Sequence, residues 1–259
     1  MIANYHTHTA RCHHATGTDR EMVERAIESG LQILGFSDHC PYWFDDTDYY
    51  SNFRMFPEQL EEYVRTLSDL RAEYRGQIDL KIGLEVEYYP RYFDSFVQHI
   101  RQFPLDYILL GQHFIGNETE PGSKHATKET EDSEKLERYC TQVVEAIQTG
   151  LFTYVAHPDV LNFIGDRELY QQQMRRICQA ANQIGIPLEV NFLGIWDKRN
   201  YPNPLFWQVA GEEGVTAVFG CDAHHVKDVF QPETEKLALK LLDDNGIRKV
   251  DTVSLRSVF

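Results

Sequence analysis

Short apolar runs alternate with longer amphipathic stretches along the whole chain. The short runs lie near residues 2–6, 32–37, 80–86, 107–112, 153–157, 187–191 and 216–221, and they predict strands. Thr18-Asp19-Arg20-Glu21 between the first two is a capping box that opens a helix. Val23, Ala26 and Ile27 form the apolar stripe of that helix, and Gly30 is placed to end it. Pro57 suits the first turn of a second helix running to about Tyr74, with Leu60, Val64, Leu67 and Leu70 on one face. Further helices are predicted near 91–102, 132–149, 167–184, 203–213 and 233–245. The pattern amounts to seven βα units. No linker, low-complexity tract or repeat divides them, so a single α/β domain over residues 1–259 with a parallel sheet is expected.

Polar residues at the ends of these runs sharpen the picture. His6, His8, His39, Glu85, His113, His157, Asp222 and His224 all fall at or just past a predicted strand end, and His14 sits on the loop after the first strand. In a βα barrel the C-terminal strand ends converge on one face, where residues distant in sequence meet. An open doubly wound sheet would not easily gather groups from six strands, so a closed or nearly closed barrel is favoured. A histidine taken singly is usually a hydrogen-bonded core or rim residue. That reading suits His99, on a predicted helix surface, and His125, in a polar loop. It fails for the strand-end set, whose members share one topological location. Residues two apart on a strand point the same way. His6 and His8 can therefore face one ion together, as can Asp222 and His224. Glu85 and Glu87 form a third such pair, with room for one of them to act from behind the other. Converging imidazoles and carboxylates are metal ligands first. So many of them exceed the usual four of one zinc ion. Two or three closely spaced metals suit phosphoester hydrolysis.

Composition narrows the partners. A chain of 259 residues with 42% apolar residues can fill a barrel. The net charge of -15 argues against a nucleic-acid backbone or an anionic membrane as partner. No run approaches the roughly 18 apolar residues of a membrane span. Met1-Ile2 leads directly into the first strand, so no signal peptide is expected. Cys12, Cys40, Cys140, Cys178 and Cys221 show no paired spacing and fit a reduced cytoplasmic protein. None of them is placed as an obvious metal ligand.

The chain resembles the PHP (polymerase and histidinol phosphatase) superfamily, and within it the histidinol-phosphatase-like branch. The matching segments are His6-Thr7-His8, Cys12-His13-His14-Ala15, Ser37-Asp38-His39, Gly83-Leu84-Glu85-Val86-Glu87, Gly111-Gln112-His113, Ala156-His157-Pro158-Asp159, Glu189-Val190-Asn191 and Gly220-Cys221-Asp222-Ala223-His224. The resemblance implies a distorted (β/α)7, TIM-like barrel. It implies two to three divalent transition metals, zinc, manganese or iron, and no organic cofactor. Position by position, it implies one metal on His6, His8, Glu85 and Asp222, a second on Glu85, His113 and His157, and a third on His14, His39 and His224. His14 is preferred over His13 because its spacing from His8 matches the family. Asp222, Glu85 and His224 are the residues expected to carry catalysis.

The function this implies is hydrolysis of L-histidinol phosphate to L-histidinol by a metal-activated hydroxide. Two alternatives remain. One is another phosphate ester, such as a nucleoside bisphosphate or a phosphotyrosine peptide, since Phe192 stands where histidinol phosphatases tend to carry a small polar residue. The other is a non-catalytic metal-binding regulator. Two long segments, an aromatic one at 40–56 and a polar one at 115–131, leave the catalytic face. Arg54 and Arg199 are the expected phosphate-binding cations. Trp43, Phe44 and Trp196 are candidates to stack on an imidazole. Asp45, Asp46, Asp48, Glu118, Glu120 and Asp197 are expected to form an acidic rim for a cationic substrate end.

Overall fold

The strand-like runs pair in parallel, as the alternation requires. The computed structural model of the protein describes residues 1–44 and 46–258. Strands β1 (Ala3–Asn4), β2 (Ile33–His39), β3 (Asp79–Val86) and β4 (Tyr107–Leu110) form one sheet in that order. Strands β5 (Leu188–Asn191), β6 (Thr216–Gly220) and β7 (Arg248–Lys249) form another. Val155 joins the two, bridging Leu110 on one side and Leu188 on the other. Thr7 bridges Ala223 at the opposite edges. The parallel sheet is therefore curled. The strand expected at 153–157 shrinks to this one bridging position because His157 turns to φ 27° ahead of Pro158.

The helices follow the apolar stripes: α1 (Asp19–Glu28), α2 (Leu60–Glu73), α3 (Phe93–Ile100), α4 (Ser133–Gln148) and α5 (Arg167–Ile184). After β5 come a short unforeseen helix α6 (Phe192–Trp196), then α7 (Pro204–Glu212) and α8 (Pro232–Asp244). Thr18 and Glu21 close the capping box at the start of α1. No helix among the described residues is long and apolar enough to cross a membrane.

Strand parity divides the core. Ile108, Leu110 and Val155 join the large cluster under the helices, built with Leu34, Phe36 and Leu188. Tyr107, Leu109, Tyr154 and Ala156, of the opposite parity, form a second cluster with Ala3, Tyr5 and Val218. Within it the Tyr107 hydroxyl shares its one hydrogen between the carbonyls of Tyr5 and Phe36, at 2.7 and 3.0 Å. The phenol thus ties three strands together beneath the functional end.

Candidate metal centre

Register builds the site. β2 and β3 pair so that His39 stands beside Glu85. The Thr7–Ala223 bridge lays His6-Thr7-His8 against Asp222-Ala223-His224, with the His8 amide donating to Ala223 at 2.9 Å. Both period-two pairs therefore arrive at one end of the sheet. Two glycines leave room for the carboxylates. A Cβ on Gly111 would lie 1.9 Å from Glu85 Oε1, and one on Gly220 1.6 Å from Glu189 Oε1. Only glycine allows that approach.

Glu85 is the hub. Its Oε1 lies 2.8 Å from His157 Nε2, 3.5 Å from His6 Nε2 and 3.6 Å from His113 Nε2. Its Oε2 lies 3.0 Å from His39 Nδ1 and 3.6 Å from His8 Nε2. Asp222 Oδ1 lies 3.0 Å from His8 Nε2, 3.3 Å from His224 Nδ1 and 3.6 Å from His6 Nε2. His14 joins through His224, their Nε2 atoms 3.0 Å apart. All nine strand-end and loop residues are thus gathered in one cluster. His13 is not part of it; it takes φ 67° and packs on Phe56.

Several of these close approaches lack hydrogen-bond geometry. His6 Nε2, both ring nitrogens of His8, His39 Nδ1, His157 Nδ1 and Glu85 Oε2 are sealed from water with no hydrogen-bond partner. Buried polar atoms are normally satisfied. A cation satisfies such a set, because it takes imidazole lone pairs and carboxylate oxygens together. Ligands about 2.0–2.2 Å from one ion sit roughly 3–4 Å apart, and the separations around Glu85 and Asp222 match. Three-residue groups with ligand atoms within 4.8 Å of one another include His6/His8/Asp222, His6/Glu85/His157 and His8/His39/His224. Cys12 forms another with His14 and His224, so one thiol stands closer to the cluster than expected. All five cysteines are buried and unpaired.

Charge distribution agrees with a cation site. Burial would raise the pKa of Glu85, but His113, His6 and His39 outweigh it and hold it well below the usual range. Asp222 is likewise held low against burial, by His6, His8 and His224. Burial opposes a proton on His8, yet Asp222 and Asp38 lift it to about 9. The two carboxylates thus stay ionised among buried imidazoles, a set of charges and lone pairs that suits a cation.

Groups behind the cluster set its orientation. Glu189 Oε1 lies 2.9 Å from His6 Nδ1, and Glu87 Oε1 2.9 Å from His113 Nδ1. Cys12 O lies 2.7 Å from His14 Nδ1. Each contact places the proton on Nδ1 and turns the Nε2 lone pair inward. The period-two pair Glu85/Glu87 therefore divides its labour, with Glu87 behind.

Arg54 differs from the sequence expectation. It does not reach the cavity but lies buried under the aromatic segment. Its Nη1 is 2.9 Å from Glu87 Oε2, and its Nη2 is 2.5 Å from Glu118 Oε2. Two carboxylates in a buried pocket attract the guanidinium more strongly than the open rim does. Arg54→Met strands both anions, at a cost of about 3–5 kcal/mol. Calorimetry should show the melting temperature falling by on the order of 10 °C; an unchanged value would mean that the network contributes nothing.

A cavity of about 590 Å³ opens over the cluster. His14, His39, His113, Asp222 and His224 line it, with Phe53, Trp196, Arg199 and Tyr201 as walls. Arg199 is therefore at the cavity as anticipated, bonded to Asp197 at 2.9 Å and to the Tyr201 hydroxyl at 3.0 Å. Trp43 is not; it stacks on His99 at 4.5 Å. Phe44 packs against Tyr92. The acidic rim is largely neutralised. Asp46 pairs with Arg91, Glu118 with Arg54 and Glu120 with Arg138. Asp48 is exposed, Asp45 lies outside the described residues, and Asp197 alone of this set lines the cavity.

The structure also brings to the site Asp228 and His125, which the sequence did not single out for it. Asp228 lines the cavity, buried, with Oδ2 unpartnered. His125, read as a bland loop histidine, also lines it, 5.4 Å from the His113 ring. Burial, then the neighbouring His113, lower its pKa to about 3. A single loop histidine carries no periodicity, so no sequence signal marked it.

Known proteins resemble this chain. A family model described as "PHP domain" matches residues 4–192. The chain is 31% identical over 236 residues to a Deinococcus radiodurans protein named probable histidinol-phosphatase, covering 88% of each chain. It is 27% identical over 256 residues to the histidinol-phosphatase of Bacillus subtilis, covering 86% of this chain and 94% of that protein. The fold matches the crystal structure of histidinol phosphate phosphatase from Lactococcus lactis in complex with zinc, L-histidinol and phosphate. The TM-score is 0.74, with 22% identity over 98% of this chain and 97% of that one. By its sequence relatives and its fold, the chain belongs to the PHP family, on the histidinol-phosphatase-like branch.

Proposed function

We propose that this protein is a metal-dependent phosphatase that hydrolyses a small phosphate monoester, L-histidinol phosphate, to L-histidinol. One observation carries the reading: Glu85 and Asp222 stand among seven imidazoles, several with unpartnered buried nitrogens, beneath a cavity sized for a small ester. The names of the Deinococcus and Bacillus relatives support the substrate, as do the ligands of the Lactococcus structure.

His6, His8, Glu85 and Asp222 would hold one cation, Glu85, His113 and His157 a second, and His14, His39 and His224 a third. The ions would be two to three of zinc, manganese or iron, with no organic cofactor. Such cations, when bound, supply Lewis acidity toward phosphoryl oxygens and activate water near neutral pH. The chain does the rest. Glu85, Asp222 and His224 are the catalytic side chains, fixing charge and geometry at the cavity floor. Arg199 presents a guanidinium to the phosphate. Trp196 forms an apolar wall for the leaving alcohol, while Asp197 and Asp228 offer acceptors to its cationic end. Arg54 acts at one remove, through Glu87 and His113.

The same reading takes the curled sheet and its bridges as a distorted (β/α)7 barrel, one domain over residues 1–259. It places the enzyme in the cytoplasm, with no nucleic-acid or membrane partner, in keeping with the net charge of -15. Phosphate release from L-histidinol phosphate, run beside nucleoside bisphosphates on metal-analysed protein, tests it. kcat/KM for L-histidinol phosphate should be at least about a hundredfold higher. Equal or reversed preference would leave a phosphatase with another substrate.

A further inference from the structure

His113 and His125 are neighbours at the cavity, yet their hydrogen bonds polarise them in opposite senses. The His113 Nδ1 faces the Glu87 carboxylate at 2.9 Å, so Nδ1 carries the proton and Nε2 offers a lone pair. The His125 Nδ1 instead accepts from the Thr127 backbone N–H at 3.3 Å and lies 2.9 Å from the Thr127 hydroxyl. With a backbone donor aimed at it, Nδ1 carries no proton. The ring is neutral and its proton sits on Nε2. Among the described residues the hydrogen bonds of this ring are all at Nδ1, and the half-buried ring lines the cavity. That leaves the Nε2–H as a donor at the cavity. This tautomer also cannot ligate a metal through Nε2.

The backbone holds this donor firmly. Residues 113–114 and 125–126 pair antiparallel, with the Ala126 amide donating to His113 O at 2.7 Å. Ala126 O in turn accepts from the Asn162 amide at 2.9 Å, and Thr127 O from the Asn162 side chain at 3.2 Å. The polar segment is folded back so that His125 stands over His113 rather than out in solvent.

We propose that His125 contacts the substrate, donating its Nε2–H to a non-bridging oxygen of the phosphoryl group, on the same cavity as Arg199. The role rests on the phosphatase reading above. A neutral, prepositioned donor aimed at an oxygen that gains charge in the transition state stabilises it without adding net charge.

The test uses metal-loaded protein and two variants. His125→Phe keeps a ring against Phe114 and removes the donor. His125→Gln places an amide N–H near the position of Nε2. Inorganic phosphate is the inhibitor, because it probes the phosphoryl site whichever ester is native. We expect His125→Phe to raise the phosphate inhibition constant at least tenfold and to lower kcat/KM ten- to a hundredfold, with zinc content at the wild-type level. His125→Gln should recover most of the phosphate inhibition. If His125→Phe does not fold, His125→Asn, whose amide is too short to reach, replaces it. Inhibition and kcat/KM within twofold of wild type would overturn the assignment, and loss of zinc would make His125 a ligand instead. Wild-type protein that hydrolyses other monoesters but not L-histidinol phosphate would overturn that substrate alone, and phosphate inhibition would still decide His125. Wild-type protein that neither binds phosphate nor hydrolyses any ester would overturn both.

Discussion

Asp222→Asn is expected to lower kcat/KM at least a thousandfold, about 4 kcal/mol of transition-state stabilisation, with little change in the fold. Asp222 sits at φ 50°, a left-handed conformation that asparagine adopts as readily as aspartate. An amide oxygen can still accept from the Asn191 side chain, now 3.1 Å from Oδ2. The substitution removes the charge. That charge lies 3.0 Å from His8 Nε2 and 3.3 Å from His224 Nδ1, where the proposed cations would bind. Phosphate release and elemental analysis on the same preparation measure the effect, and a near-native melting curve checks the fold. Activity within tenfold of wild type would remove Asp222 from the catalytic set.

Glu85→Gln should be at least as damaging and should show first in metal content. One carboxylate reaches five imidazoles, His6, His8, His39, His113 and His157. A glutamine of the same size turns an N–H toward at least one of them and takes away the negative charge that two proposed cations share. Dialysed protein should retain at least one metal equivalent fewer than wild type, with activity down a thousandfold or more. Full metal occupancy with normal turnover would mean that the cations bind without this bridge. The neighbouring Gly111 sharpens the point. Gly111→Ala would push a methyl group into Glu85 and should reproduce part of the defect by displacement alone.

Much of the candidate site was readable because its imidazoles and carboxylates obey strand periodicity. His6 and His8, and Asp222 and His224, are two apart at the ends of apolar runs, and parallel pairing brings such ends to one side whatever lies between them. The helices were readable for the same kind of reason. The stripe of α2 and the capping box of α1 are local patterns that burial preserves. The shortening of the strand expected at 153–157 was not readable, because the largely apolar run Phe152-Thr153-Tyr154-Val155-Ala156 before His157-Pro158 promises a ladder that the backbone turn interrupts.

The sequence by itself determined the alternation of strand and helix, the parallel sheet and the gathering of imidazoles and carboxylates at the strand ends. Those depend on period, caps and turn residues, which act within a few positions. Only the tertiary structure decided the partners of charged groups on the loops. Arg54 and Arg199 look alike along the chain, yet one is buried between Glu87 and Glu118 and the other lines the cavity. His13 and His14 are adjacent, and backbone conformation alone sends one to Phe56 and the other to His224. His125 gained its place through a backbone pairing with Phe114, closed by the Ala126 amide donating to His113 O. Loop side chains follow long-range charge and packing, which have no period to read.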